Sequence, residues 1–351
     1  MGSVGMKVLS LFSGVGGFDL GLERAGMETV FQCEWDKHAT KILEKHWPNV
    51  PRWTDVSTLT GEHILPHAPV IDVVAWGSPC QDLSVAGKRA GLQGARSGLF
   101  HEGVRIINEL RGLTNGKYPG ISIWENVAGA LSSNKGNDFG VVLNKMVEAG
   151  ACFSEWAVLD AQYFGVPQRR RRVFLISVFD TATAARCPDP LLPVSESMRR
   201  NPQAGRKKKQ NPTDTVASSV DECNQPMIAF SHTQGLSAQP SETAWPTLRR
   251  EGSGQAVAYV LRDQEGKPGG GKGPLVSREM SLAIKTGNDQ KLFTPTMAVR
   301  RLTPLKCERL MGWPDDWTAG QSDTHRYKQC GNGVASPVAT WIAQQLLNID
   351  K

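Results

Sequence analysis

The sequence predicts an α/β protein built on a doubly wound, mainly parallel sheet, with a second, smaller domain. Two observations predict the sheet. Strand-like and helix-like patterns alternate through the first 180 residues, as expected for parallel strands with helices on both faces. The apolar run Val70-Ile71-Asp72-Val73-Val74-Ala75-Trp76 reads as a buried strand and opens directly into a glycine-rich stretch from Gly77 to Gly98. A third observation predicts the second domain: from about 181 to 290 the chain turns rich in Pro, Gly, Ser, Thr, Gln and Asn, with few long apolar runs.

Taken in order, residues 6–12 read as a strand, 17–25 as a helix, 29–33 as a strand and 36–46 as a helix. After the strand over 70–76 come a helix over 99–111, a strand over 121–124 and a helix over 139–149. Strands over 154–159 and 172–178 follow. Shorter strands are expected over 226–231 and 256–261, and helices return over 304–311 and 336–347. The expected division is a first domain of 1–180 completed by 328–351, and a second over 181–327.

At 351 residues the chain can bury a sizeable core. Its net charge of +6 fits a polyanionic partner and fits a merely basic protein as well. The seven cysteines are scattered and include no Cys-x-x-Cys. That argues against a disulfide framework or zinc site and for a reducing compartment. No apolar run approaches the roughly 20 residues needed to span a bilayer. A cytoplasmic protein without a metal is expected.

Five constellations could carry chemistry. Phe12-Ser13-Gly14-Val15-Gly16-Gly17 takes a strand through a glycine turn into a helix, letting backbone approach a ligand. It is not the dinucleotide fingerprint, because Asp19 stands where the third glycine belongs. A plain tight turn is the alternative. Glu34 ends the next strand, where an acid can accept from ribose hydroxyls, and Trp35 offers a flat face. The alternative is a helix cap by Asp36 and a core Trp35. Asp55 reads as a polar residue at a strand end or in a turn.

Cys80 stands in Pro79-Cys80-Gln81, at the tip of the buried strand, where a thiol is placed to act as a nucleophile. An inert buried thiol is the alternative. Glu125, in Trp124-Glu125-Asn126-Val127, follows the strand over 121–124 and can have a raised pKa beside apolar residues, the alternative being an acid solvated at the strand terminus. Gln168-Arg169-Arg170-Arg171-Arg172 should alternate, Arg170 and Arg172 pointing one way and Arg169 and Arg171 the other, so that one pair can enter a site; a solvated basic run is the alternative.

In this order the pieces resemble the DNA cytosine-5 methyltransferase family of bacteria, phages and prophages. The likeness extends to Arg301-Leu302-Thr303-Pro304, Glu308-Arg309-Leu310-Met311-Gly312-Trp313-Pro314 and Gln329-Cys330-Gly331-Asn332-Gly333-Val334. It implies a Rossmann-like fold with a target-recognition domain, and methyl transfer from S-adenosylmethionine to carbon 5 of a flipped-out cytosine in duplex DNA. S-adenosylhomocysteine is the product, and a monomer is expected.

The resemblance also implies roles for individual residues. Phe12 contacts adenine, Glu34 the ribose, Trp35 stacks on adenine and Asp55 bonds its amino group. Gly14, Gly16, Pro79, Leu99, Asn332 and Val334 frame the donor pocket. Cys80 is the nucleophile. Glu125 holds ring nitrogen 3 and the amino group, Arg172 holds the carbonyl oxygen, and Arg170 supports the site. The loop from Gly77 to Gly98 is expected to close over DNA, with Gln81, Ser84, Lys88, Arg89 and Arg96 meeting it. Arg199, Arg200, Arg206, Lys207, Lys208 and Lys209 are expected on phosphates, or in a solvated loop. Gly333 departs from relatives that carry Ser there. Pro246-Thr247-Leu248-Arg249 and Val299-Arg300-Arg301-Leu302 resemble phage- or prophage-borne members.

Other readings differ in substrate or class. A tRNA-methylating relative would carry another sequence after Pro79-Cys80-Gln81. A catalytically silent DNA-binding protein would have no need of Cys80 and Glu125. A nicotinamide dehydrogenase is disfavoured by the failed glycine fingerprint. Methylation of an amino nitrogen of DNA needs no thiol.

Overall fold

A computed structural model describes residues 5–79, 98–194 and 302–349, together with the backbone of five short strands between 259 and 301. Two compact units emerge: Met1–Arg199 with Ala283–Gly287 and Pro304–Lys351, and Arg200–Leu282 with Asn288–Thr303.

The first unit opens with the expected alternation: β1 (Lys7–Leu11), α1 (Gly17–Arg24), β2 (Glu28–Cys33) and α2 (Lys37–His46). Two short elements, β3 (Arg52–Trp53) and α3 (Gly61–Ile64), precede β4 (Val73–Trp76) and α4 (Gly98–Leu113). Then come β5 (Ile121–Val127), α5 (Asn137–Glu148), β6 (Phe153–Asp160), β7 (Gln168–Arg169), β8 (Arg171–Val178) and α6 (Thr181–Arg186). The unit is completed by α7 (Pro304–Leu310), α8 (Asp323–Asn332) and α9 (Ser336–Leu347).

Seven strands form one sheet in the order β3-β2-β1-β4-β5-β8-β6. β1 to β5 run parallel, while β8 runs antiparallel to both β5 and β6. The chain steps outward from β1 through β2 to β3, then crosses to the other side of β1 for β4 and β5. That reversal leaves a crevice beyond the carboxyl ends of β1 and β4, where open α/β sheets bind ligands.

Both faces of the sheet are covered. Leu9, Leu11, Val74, Trp76, Trp124, Val173 and Leu175 pack with Ile106, Ile107 and Leu110 of α4 and Val142 and Met146 of α5. Phe174 points to the opposite face. There it meets Phe18 of α1 edge-on, with ring centroids 6.2 Å apart. α9 lies directly on α1: Ser336 Oγ donates to Gly17 O at 2.8 Å and Thr340 Oγ1 to Gly21 O at 2.9 Å. Glycine is required at position 21, where a Cβ would come 2.5 Å from that of Ala339.

In the second unit β9 (Tyr259–Arg262), β10 (Leu275–Arg278), β12 (Gln290–Phe293) and β13 (Val299–Arg301) form an antiparallel sheet in the order β10-β9-β12-β13. β11 (Ser281–Leu282) is a two-residue strand. The strand expected over 256–261 is β9; the one expected over 226–231 lies outside the described residues.

The division differs from the expected 181–327. Residues 304–327 belong to the first unit, and specific contacts hold them there. The Trp317 indole donates to Val15 O at 2.9 Å and stacks on His46 at 3.5 Å. Glu308, fully buried, accepts from Thr318 N and Arg326 Nη2, each at 2.9 Å. Residues 181–194 also stay with the first unit. The carboxylate of Glu155 takes the backbone N–H groups of Leu191 and Leu192 at 2.7 and 2.9 Å.

One buried acid lies beneath the glycine turn. Asp19 accepts from Ser10 Oγ at 3.0 Å and Gln32 Nε2 at 2.9 Å, and burial pushes its pKa from 3.8 up to about 6. A raised carboxyl pKa favours the folded state below the unfolded value, and the advantage is lost as pH rises through the folded value. Ionising Asp19 in place therefore costs about 3 kcal/mol. In Asp19→Asn, urea unfolding midpoints at pH 4 and pH 8 should lie closer together than in the parent. An unchanged gap would remove Asp19 as the source.

Candidate active site

β1 and β4 end in register with Trp124 of β5: Leu11 pairs with Trp76, and Trp76 with Trp124. Phe12, Gly77 and Glu125 therefore stand side by side at the crevice. Beyond β1 the chain turns sharply, with positive φ at Phe12 (55°), Gly14 (58°) and Gly16 (79°). Among the described residues a Cβ on Gly14 would meet nothing within 4 Å, so they leave open space above that peptide.

Glu34 leaves β2 and reaches back to this turn. Its Oε2 accepts from Gly14 N and its Oε1 from Asp36 N, both at 2.7 Å. Burial pushes its pKa up, and the two amides oppose this. Next to it the Trp35 ring is 71% exposed, so it is not a core residue. Asp36 does cap α2, accepting from His38 N at 2.8 Å. Asp55 is half-buried after β3, and both its side-chain hydrogen bonds, from Ser57 N and Oγ, fall on Oδ1. Leu99 packs on the core from the first turn of α4.

The end of the chain returns to the same turn. Asn332 is exposed at the last position of α8, and Val334 is half-buried. Trp313 Nε1 donates to Val334 O at 3.2 Å. A Cβ on Gly17 would lie 2.6 Å from that carbonyl. The α8–α9 turn is thus seated on the start of α1.

On the other side, β5 runs on to Val127, so Glu125 lies within the strand and not at its end. The difference comes from β8, whose ladder reaches Val127 opposite Arg172. Glu125 pairs with Phe174, which makes Arg172 its diagonal neighbour, within reach of a long side chain. Arg172 Nε lies 2.9 Å from Glu125 Oε1. Burial pushes the Glu125 pKa up, and the charges of Arg172 and Arg170 pull it back.

The stem after β4 is fixed to the same strand. Ser78 Oγ accepts from Trp124 Nε1 at 3.2 Å, and Ser78 O accepts from Asn126 Nδ2 at 3.3 Å. A Cβ on Gly77 would sit 3.1 Å from Glu125 Oε2, so glycine lets the carboxyl lie over the stem. Pro79 is exposed beyond it.

The arginine run alternates as expected: Arg170 is buried and Arg172 half-buried, while Arg169 and Arg171 are exposed. Arg170 Nη2 donates to Gly331 O at 3.0 Å and Gly333 O at 2.6 Å, so it holds the α8–α9 turn. In the sequence Ser78, Asn126 and Trp313 have no part of their own, and only their neighbours in space reveal one. Cys80, Gln81, Ser84, Lys88, Arg89 and Arg96 lie outside the described residues, as do Arg199, Arg200, Arg206, Lys207, Lys208 and Lys209. Among the described residues no group of three or more His, Cys, Asp or Glu could hold a metal. No helix there is long and apolar enough to cross a membrane.

An acid and a guanidinium set beside each other at the mouth of an α/β switch-point crevice suit a small flat ring with both donors and acceptors. The chain belongs to the C-5 cytosine-specific DNA methylase family, whose model matches residues 6–348. It is a DNA (cytosine-5-)-methyltransferase. Among its relatives, type II methyltransferase M.HpaII of Haemophilus parainfluenzae is 28% identical, over 97% of this chain and 88% of its own. Type II methyltransferase M2.BsuMI of Bacillus subtilis is 30% identical, over 97% and 75%. Among solved structures, a prophage-encoded DNA modification methyltransferase (E. coli) shares the fold with a TM-score of 0.60 at 20% identity, covering 98% of this chain and 99% of that one.

Ser78→Ala would leave the buried Trp124 indole N–H without its acceptor, at a cost of about 1–3 kcal/mol. A matching fall in urea unfolding free energy is expected, and unchanged stability would show that the bond contributes nothing.

Proposed function

We propose that Cys80 attacks carbon 6 of a flipped-out cytosine while Glu125 and Arg172 hold the ring, and that S-adenosylmethionine is the methyl donor. The observation that carries this reading is the Glu125–Arg172 pair at 2.9 Å, level with the stem that leads to Cys80. Carbon 5 of cytosine is too weak a nucleophile to take a methyl group unaided. Thiolate addition at carbon 6 breaks the aromaticity and places enamine density on carbon 5. A raised pKa suits Glu125 to share a proton with ring nitrogen 3, offsetting the charge that develops. Arg172 donates to the carbonyl oxygen and keeps the acid oriented. After transfer, loss of the carbon-5 proton and expulsion of the Cys80 thiolate restore the ring.

The residues around the glycine turn fit the donor. Open space above Gly14 leaves room for its amino-acid end, and the exposed Trp35 ring is free to stack on adenine. Glu34 stands where ribose hydroxyls can replace its two amide partners, with Phe12 and Leu99 as apolar walls. Asp55 can take the adenine amino group on Oδ2. Asn332 and Val334 line the methionine side, with Gly16 and Pro79 near it. When bound, S-adenosylmethionine supplies an electrophilic methyl group on sulfonium.

Duplex DNA is the substrate form, and reaching carbon 6 requires taking the base out of the stack, at a few kcal/mol. Gln81, Ser84, Lys88, Arg89 and Arg96 are placed by sequence next to the nucleophile to meet the strand. The cluster from Arg199 to Lys209 contacts phosphates, which positions the protein without specifying sequence. The enzyme acts as a monomer.

Bisulfite sequencing of DNA from cells expressing the protein should reveal methylcytosine in a fixed context, and Cys80→Ala should abolish it. Undiminished methylation by that variant would end the covalent mechanism. Glu125→Gln should lower kcat by about 10²–10⁴, the range of a lost acid–base group. Neutralising all six charges from Arg199 to Lys209 should flatten the salt dependence of DNA binding, by up to roughly 0.9 in log–log slope for each phosphate the variant leaves unneutralised. An unchanged slope would reject the phosphate role.

A further inference from the structure

We propose that Arg170 is a positioning residue for the methyl donor: its guanidinium holds the α8–α9 turn in shape and ties donor binding to the strand that holds the target base. This rests on the reading that S-adenosylmethionine occupies the crevice beside the glycine turn.

The geometry separates Arg170 from Arg172 although only one residue lies between them. Arg172 turns to the Glu125 carboxyl. Arg170 is 2% exposed, and its Nη2 reaches Gly331 O at 3.0 Å and Gly333 O at 2.6 Å, bracketing Asn332. Gly331 lies in the last turn of α8, where orphaned carbonyls and the negative end of the helix dipole favour a cation. Two carbonyls drawn onto one cationic nitrogen would repel each other without it.

The clamp is anchored at its base. Arg170 sits at the break between β7 and β8, and its own N–H donates to Asp160 Oδ1 at 2.9 Å. The segment it holds continues into Val334, whose carbonyl meets Trp313 Nε1 and packs on Gly17. A shift of this turn would therefore be felt at the glycine turn. One short stretch of backbone thus carries a hand to each site. If donor binding and base binding favour the same setting of that stretch, each must strengthen the other by the same factor.

Lysine is a poor substitute at a site only 2% exposed, because its ammonium is more strongly hydrated than a guanidinium and rides on a more flexible stem. The test is calorimetric titration of the full-length enzyme with S-adenosylhomocysteine, alongside steady-state kinetics, for Arg170→Met, Arg170→Lys and Arg172→Gln. Arg170→Met should bind S-adenosylhomocysteine at least tenfold more weakly and raise KM for the donor in proportion. Its kcat at saturating donor should fall far less than that of Arg172→Gln, by about tenfold at most. Arg170→Lys should weaken binding at least threefold, and it carries the test should the Met variant not fold. Arg172→Gln should do the reverse, keeping S-adenosylhomocysteine affinity within twofold and losing kcat at least a hundredfold. Parent-like affinity in Arg170→Lys, or a loss confined to kcat as in Arg172→Gln, overturns the proposal. A parent enzyme that fails to bind S-adenosylhomocysteine defeats the donor assignment itself, which separates the two failures.

Discussion

The site depends on one constraint: β1 and β4 end in register with each other and with the middle of β5, which runs on past them. Leu11, Trp76 and Trp124 share a row, and Phe12, Gly77 and Glu125 stand just beyond it. The row is held by large buried rings. Trp76 and Trp124 are essentially inaccessible and pack with Phe100, at centroid distances of 5.4 and 5.9 Å. Both indole N–H groups are satisfied, by Ser122 and Ser78, as buried indoles require. α4 lies close against Trp76 only because position 103 is glycine, where a Cβ would come within 2.4 Å of that ring. An aromatic floor thus fixes the height at which Glu125 and the Gly77-Ser78 stem emerge.

The antiparallel strand turns this floor into a site. A parallel β8 would bring its carboxyl end to the crevice. Because β8 runs the other way, its first residues arrive there, and Arg172 meets Glu125 across the ladder. Partly desolvated pairs of this kind add little net stability, yet removing one partner is costly. The pair is better understood as orientation than as glue: each side chain fixes the rotamer of the other at the edge of open space.

Much of this was legible in the sequence, and the exceptions have physical causes. The alternation of periods gives β1, α1, β2, α2 and α4, because each buries one face or stripe. The arginine run alternates as a strand must. The direction of β8 was not legible, since period two is the same in either direction. Nor was the continuation of β5 through Glu125 and Asn126, because polar residues there look like a strand end until the partner strand is known. α8 was missed for a similar reason: Asp323–Asn332 is almost wholly polar, and what holds it comes from elsewhere in the chain. Arg326 pairs with the buried Glu308, and Lys328 reaches Asp36 at 2.6 Å. The same contacts place 304–327 in the first unit, where composition alone suggested the second.

Two carboxyl groups in the crevice are shifted upward by burial, Glu34 and Glu125, and they are compensated differently. Glu125 faces a guanidinium, a partner that does not lose its proton. Glu34 is held by two backbone amides, neutral donors that offset only part of the desolvation. An acid in that setting gains from any ligand that offers hydroxyl donors of its own, while the amides keep it pointed at the glycine turn in the meantime. On the proposed reading of the site, the difference matches two duties. The base side needs a fixed charge pattern through a reaction that moves protons. The donor side needs an acceptor that can change partners at each exchange of substrate for product.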